Sequence, residues 1–264
     1  KRKQTKHDFS TEIFDEQEFI QLRTVGTGSL FFIILIYHIE KEEIFVIKKP
    51  YINKDGISKL LNREMHNYSK IDYQLLPKFY GTIKDKNYLV VEYVEGKTLN
   101  NIRNTLSEND KYNILFELIA IIAYLNENGF VFWDLKPNNI IIDNNKNAIL
   151  IDFDRMIDIS TINDNTKFTL DISTEFIAPE IATGNISYQS DIYSIRKLIL
   201  YIFNDECKQN GKNKSYIQIK IQQFCELCNV DSENMFNKIS ELMFLFLLYF
   251  QSYIKLPLIQ KFQE

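Results

Sequence analysis

The spacing of apolar residues changes near residue 95. Before it, they alternate in short runs; after it, they recur every three or four positions. Alternation is the strand pattern and the longer spacing the helix pattern. Phe19–Val25, Phe31–Tyr37, Ile44–Lys48, Lys78–Ile83 and Tyr88–Val94 are rich in β-branched and aromatic residues and are expected strands. Between them, Ile57, Leu60, Leu61, Met65 and Tyr68 make one helical stripe over residues 57–71. Beyond residue 95, Leu106 to Glu127 carries Ile114, Leu115, Leu118, Ile119, Ile122 and Leu125, a stripe wide enough for a deeply packed helix. Ser107 is its expected cap, with Asp110 three residues on. Ile140–Ile142 and Ala148–Ile151 read as two short strands around a turn at Asn144, Asn145 and Lys146. From Gln189 the pattern is helical, broken by a polar loop near Asn204–Ser215. The expected fold class is therefore α+β and bilobal: a small β-rich lobe, then a larger α-helical lobe, with Glu92–Lys97 as connector.

Composition excludes several classes. The net charge of −4 over 264 residues gives no field that would call for nucleic acid or an anionic membrane. With 45% hydrophobic and 25% charged residues, the chain can bury a core and is not a disordered one. The longest apolar runs, such as Met243–Phe250, are far below the ~18 residues of a membrane span; that run is expected to be a packed terminal helix. Three cysteines, Cys207, Cys225 and Cys228, argue against a disulfide framework and for a reducing, cytoplasmic (intracellular) setting. Cys225-x-x-Cys228 has no second Cys/His pair to complete a zinc site and reads as two helix cysteines. Residues 1–16 are polar, opening Lys1-Arg2-Lys3, and read as a tail or linker before a domain over 17–264, with lobes at about 17–92 and 97–264. The chain begins with Lys, so flanking domains in a longer protein are expected.

The most specific segment is Phe132-Trp133-Asp134-Leu135-Lys136-Pro137-Asn138-Asn139, between the long helix and the hairpin. It resembles the catalytic loop H-R-D-L-K-P-x-N of eukaryotic protein kinases. Asp152-Phe153-Asp154, beginning thirteen residues past Asn139, resembles the metal-binding D-F-G, and Ala178-Pro179-Glu180 matches A-P-E. Gly26-x-Gly28 followed by Lys48 in Val46-Ile47-Lys48 resembles the phosphate-covering loop and the lysine strand. Asp191, at a helix start, resembles the aspartate that buttresses the catalytic loop. These elements occur in the family's order over residues 19–255. Alone, Gly26 and Gly28 would be only a turn; Lys48, 22 residues past Gly26, gives them value.

The resemblance implies ATP and Mg²⁺ as cofactors and protein hydroxyls as substrates. Asp134 would accept or orient the proton of the attacking hydroxyl, and Lys136 would contact the γ-phosphate. Asn139 and Asp152 would supply hard oxygen ligands to Mg²⁺. Lys48 would hold the α/β-phosphates, oriented by Glu64 on the 57–71 helix. Lys49 is the alternative lysine; strand alternation from Val46 and the gap from Gly26 favour Lys48. Val25, Gly26 and Gly28 would cover the nucleotide. Val91 would guard the adenine pocket, Glu92 and Val94 would bond adenine through their backbone, and Val46, replacing a common alanine, would narrow that pocket. Lysine two residues past Asp134 resembles the Ser/Thr-specific branch.

Five departures stand against the pattern. Phe132 and Trp133 replace His and Arg. Phe132 is expected to fill the histidine's place in a hydrophobic column with Phe153, Tyr68 and Phe79. Trp133 has one N–H and no charge, so it cannot pair with phosphate; phosphorylation of Thr166, Thr169 or Thr174 is not expected to switch activity through it. Asp154 replaces the D-F-G glycine and adds negative charge near the triphosphate, either weakening nucleotide binding or adding a metal ligand. Phe31 replaces the loop's third glycine, a change expected to be tolerated. No arginine follows Arg196, so Glu180 must find another partner, such as a lysine, or stay solvated. These departures leave two alternatives to a Ser/Thr kinase. One is a pseudokinase serving as a nucleotide-binding or scaffolding module; the other is a kinase-fold enzyme acting on a small molecule.

Overall fold

A computed structural model of the chain describes residues 12–27, 30–51, 55–162, 175–204, 216–229, 239–250, 252 and 254. The chain divides into two compact units. One holds the described residues up to Val94 together with Phe153–Arg155; the other holds Glu95–Asp152 and the described residues from Met156.

The first unit is built on a six-stranded sheet. Its strands are β1 (Glu12–Phe14), β2 (Phe19–Thr27), β3 (Phe31–His38), β4 (Glu43–Pro50), β5 (Phe79–Ile83) and β6 (Lys86–Glu92), in the order β1-β5-β6-β4-β3-β2. One helix, α1 (Asp55–Lys70), joins β4 to β5. Alternation in β3 and β4 sends Ile34, Ile36, Phe45 and Ile47 into one core with Phe14, Ile83 and Val90. The opposite face of the same strands carries Ile33, Leu35, Val46 and Lys48, with Ile33 opposite Lys48 and Leu35 opposite Val46. In α1, Leu61, Glu64, Asn67 and Tyr68 are buried, while Asn62, Arg63 and His66 are exposed. Helical spacing thus aims Glu64 inward.

The polar tail expected over residues 1–16 does not extend to Phe14, because Glu12–Phe14 pairs in parallel with β5 and Phe14 is buried. Gly81 permits this approach: a Cβ there would lie 1.9 Å from the Glu12 carbonyl oxygen, and its φ is +149°. Asp15 and Glu18 then form a capping box that turns the chain into β2. The Glu92–Lys97 connector is also shorter than expected. Gly96–Thr98 is a strand, β7, paired with β9 (Ile140–Asp143). It lies so close that a Cβ on Gly96 would sit 2.3 Å from the Ile142 carbonyl oxygen.

The second unit is organised around α3 (Glu108–Glu127), which follows a four-residue helix α2 (Leu99–Ile102). Ser107 and Asp110 form the expected capping box, and every residue from Tyr112 to Ile122 is buried. The turn between β9 and β10 (Ala148–Leu150) is anchored by Asp143, whose Oδ1 accepts from the N–H groups of Asn145 and Asn147. A two-stranded pairing joins β8 (Phe130–Val131) to β11 (Ile157–Asp158). Helix α4 (Tyr188–Ile202) is capped by Ser187. The Met243–Phe250 run lies within the helix Ile239–Phe250, which buries Leu242, Phe246 and Phe250 and exposes Phe244 and Leu248.

Candidate active site

In the first unit, Lys48 is buried and its Nζ lies 2.8 Å from Glu64 Oε2. A second carboxylate, Asp154, approaches the same ammonium, with Oδ2 at 3.5 Å. The ring of Phe31 lies over it, its centroid 4.7 Å from Nζ. Strand register explains the last contact. Ile33 is opposite Lys48, and Phe31 is two residues along β3 on the same face. Lys49 points the other way, its Nζ 5.7 Å from the Tyr88 ring. Phe31, expected as a tolerated replacement of the loop's third glycine, lies in β3 with its side chain buried beside the lysine.

Val46 is opposite Val91 on β6, and both belong to the face that carries Lys48. Val25 falls at a bulge, where β2 pairing with β3 shifts between Thr24 and Gly26. At Gly26 a Cβ would meet Ile33 at 3.6 Å, an ordinary contact. Protein packing therefore does not demand glycine there. Glu92 donates its N–H to the Lys78 carbonyl and accepts the Lys78 N–H on its side chain, while Val94 is buried. Gly28 lies outside the described residues, as do Thr166, Thr169, Thr174 and Cys207.

The second unit holds the loop between β8 and β9. Asp134 is buried, and both its carboxylate oxygens accept from Lys136 Nζ, at 3.0 and 2.8 Å. Asn139 Nδ2 donates to the Asp134 carbonyl at 3.0 Å and to Oδ2 at 3.1 Å. That fixes the amide's orientation and turns its Oδ1 away from Asp134, where it suits a hard cation. Asp152 follows β10 with φ of +71°, a left-handed conformation that Asp tolerates better than most residues. An amide oxygen and a carboxylate are the donor types that Mg²⁺ prefers, so these two residues fit that ion.

Asp191 holds this loop from α4. Its Oδ1 accepts the Trp133 N–H at 2.8 Å, and its Oδ2 accepts the Phe132 N–H at 3.1 Å and Asn126 Nδ2 at 2.8 Å. Burial pushes its carboxyl up to about 6, against the pull of those three donors. Trp133 has φ of +45° and packs with Val131, Ile157, Ile177, Ala178, Ile181 and Ile186. An apolar contact thus joins the loop to the A-P-E segment. Ser194 Oγ donates to the Phe176 carbonyl at 2.8 Å and ties that segment to α4. Glu180 faces a hydroxyl in place of a lysine, with Ser190 Oγ 3.4 Å from its Oε1.

The expected aromatic column is described in part. Tyr68 stacks on Phe79 at 5.5 Å and meets Phe153 edge-on at 5.0 Å, within the first unit. Phe132 is buried in the second. Among the described residues, no group of three or more His, Cys, Asp or Glu side chains is arranged to hold a metal. No helix among them is long and apolar enough to cross a membrane.

A buried lysine–glutamate pair and an aspartate held in a loop by lysine and asparagine define a class of phosphoryl-transfer proteins. Residues 19–255 match the protein kinase domain family, and the chain belongs to it. The chain is 26% identical over 208 residues to the serine/threonine-protein kinase PrkC of Bacillus subtilis, covering 75% of this chain and 32% of that protein. It is 31% identical over 227 residues to calcium-dependent protein kinase 4 of Plasmodium falciparum, covering 81% of this chain and 42% of that one. It is 27% identical over 209 residues to a membrane-associated tyrosine- and threonine-specific cdc2-inhibitory kinase of Caenorhabditis briggsae, covering 76% of this chain and 32% of the relative. The matches thus span about a third to two-fifths of these relatives' lengths.

Proposed function

We propose that this chain transfers the γ-phosphoryl group of MgATP to Ser or Thr hydroxyls of proteins in an intracellular setting. The observation that carries the reading is the buried pair of Lys48 and Glu64 at 2.8 Å. Such a pair presents an oriented ammonium to the α/β-phosphates. The substrate oxygen bonds to the γ-phosphorus as the β–γ bridging bond breaks, and ADP leaves. Asp134 orients the hydroxyl and takes its proton. Lys136 stays on the Asp134 carboxylate and neutralises charge on the transferred group. Asn139 and Asp152 would hold Mg²⁺, which would supply positive charge to offset that of the phosphates. Gly26, which packing does not require to be glycine, leaves the backbone free to approach phosphate.

Specificity for Ser and Thr rests on Lys136 and on relatives named as serine/threonine kinases. The relative named for tyrosine and threonine makes the product's identity the natural test. Casein incubated with the chain and γ-labelled MgATP, then acid-hydrolysed, should yield labelled phosphoserine or phosphothreonine. Labelled phosphotyrosine alone would overturn the specificity. A second reading, a nucleotide-binding or scaffolding module without transfer, is favoured by Phe31 and Asp154 against Lys48. Nucleotide binding with no labelled product would support it.

A further inference from the structure

Lys48 is served by more negative charge than its role in the proposed reaction needs. Glu64 at 2.8 Å already orients the ammonium. Asp154 adds a second carboxylate at 3.5 Å, and its side chain is 13% exposed, so water screens the contact weakly. Phe31 lays its ring over the same ammonium at 4.7 Å. One positive and two negative charges leave this cluster at −1. An incoming polyphosphate therefore meets a lysine whose charge is already neutralised, with a second carboxylate of the phosphate's own sign beside it.

We propose that Asp154 is an affinity- and specificity-determining residue: it acts as an internal anion on Lys48 that a nucleotide phosphate must displace. Binding of a nucleoside polyphosphate is then an exchange of carboxylate for phosphate at one ammonium. The base and ribose do not take part in that exchange. Asp154 therefore penalises phosphorylated ligands and leaves an unphosphorylated nucleoside unaffected. The inference rests on the nucleotide reading proposed above.

Isothermal titration of the chain and of Asp154→Asn with MgADP and with adenosine separates the two. The variant keeps the side chain's size and removes its charge. It should bind MgADP about tenfold more tightly, on the order of one charge-assisted hydrogen bond, and bind adenosine as the wild type does. Asp154→Ser should repeat the result, and a retained thermal transition shows that either variant is folded. Unchanged MgADP affinity would overturn the proposal while leaving the nucleotide reading in place. Weaker MgADP binding would also overturn it and make Asp154 a metal or phosphate support. Failure of wild type and variants to bind either ligand would remove the nucleotide reading itself, and the proposal with it.

Discussion

Lys48 and Asp134 are both buried charged groups with side-chain partners, and the segments that carry them are held differently. Lys48 is held through side chains: Glu64, Asp154 and the Phe31 ring surround the tip of a flexible stem. Asp134 belongs to a loop held through its backbone. Asp191 takes the N–H groups of Phe132 and Trp133, the Asn139 N–H bonds the Lys136 carbonyl, and β8 pairs with β11. Side-chain ion pairs can exchange partners with a ligand at modest cost. Backbone bonds to a buried carboxylate break only when the surrounding core opens. The lysine is thus the adjustable part, and the loop is the fixed one.

The largest effect is expected at the anchor of the fixed part. Asp191→Ala leaves two backbone N–H groups and the Asn126 amide without this acceptor. At about 1–3 kcal/mol for each donor, it should destabilise the second unit by roughly 3–9 kcal/mol and abolish transfer. A urea midpoint close to that of the wild type would break the comparison. Trp133→Ala removes a nearly fully buried indole from the cluster around Ile177 and Ile181 and should cost about 3–4 kcal/mol. Trp133→Phe should cost far less in the same measurement. If both are silent, the loop is not tied to the A-P-E segment by packing.

The adjustable part should respond more mildly. Removing one partner of a lone buried ion pair costs about 3–5 kcal/mol. Glu64→Gln should cost only about 1–2 kcal/mol, because Asp154 remains beside Lys48. Combined with Asp154→Asn, the loss should exceed the sum of the single losses in a double-mutant cycle. Additivity would mean that the two carboxylates do not share the lysine.

The smallest expected effect is a pH dependence. The Asp191 carboxyl is raised from 3.8 to about 6, so the folded chain binds its proton more tightly than the unfolded chain does. Its contribution to stability is fully present below 3.8 and is lost as pH rises through about 6. Activity should run the other way, because the protonated carboxyl has less acceptor capacity for the loop. Between pH 7 and pH 5, the melting temperature of wild type relative to Asp191→Asn should rise while phosphate transfer falls. A flat difference in melting temperature would contradict the burial of that charge.

Much of the fixed part could be read from the chain itself, because its signals are local. The Ser107–Asp110 capping box and the stripe of α3 lie within consecutive turns, and Asp134, Lys136 and Asn139 lie within six residues. Strand β1 is not legible in the sequence, because three residues, Glu12–Phe14, carry too little alternation to mark a strand. The Asp15–Glu18 capping box behind it was the available signal. Phe31 and Asp154 are legible as departures, but their shared target is not. That target depends on the register of β3 against β4 and on residues 106 positions apart, neither of which periodicity encodes. Trp133 was legible as a missing charge but not as a core residue, although it ends the apolar run Phe130–Trp133.

The most direct measurement is the rate of phosphate transfer to casein at saturating MgATP, in the wild type and in Asp134→Asn, with MgADP affinity measured alongside. The wild type should transfer phosphate, the variant should be about 10²–10⁴-fold slower, and MgADP affinity should be unchanged. Equal rates in the two proteins, or no transfer by a wild type that binds MgADP, would contradict the proposed mechanism.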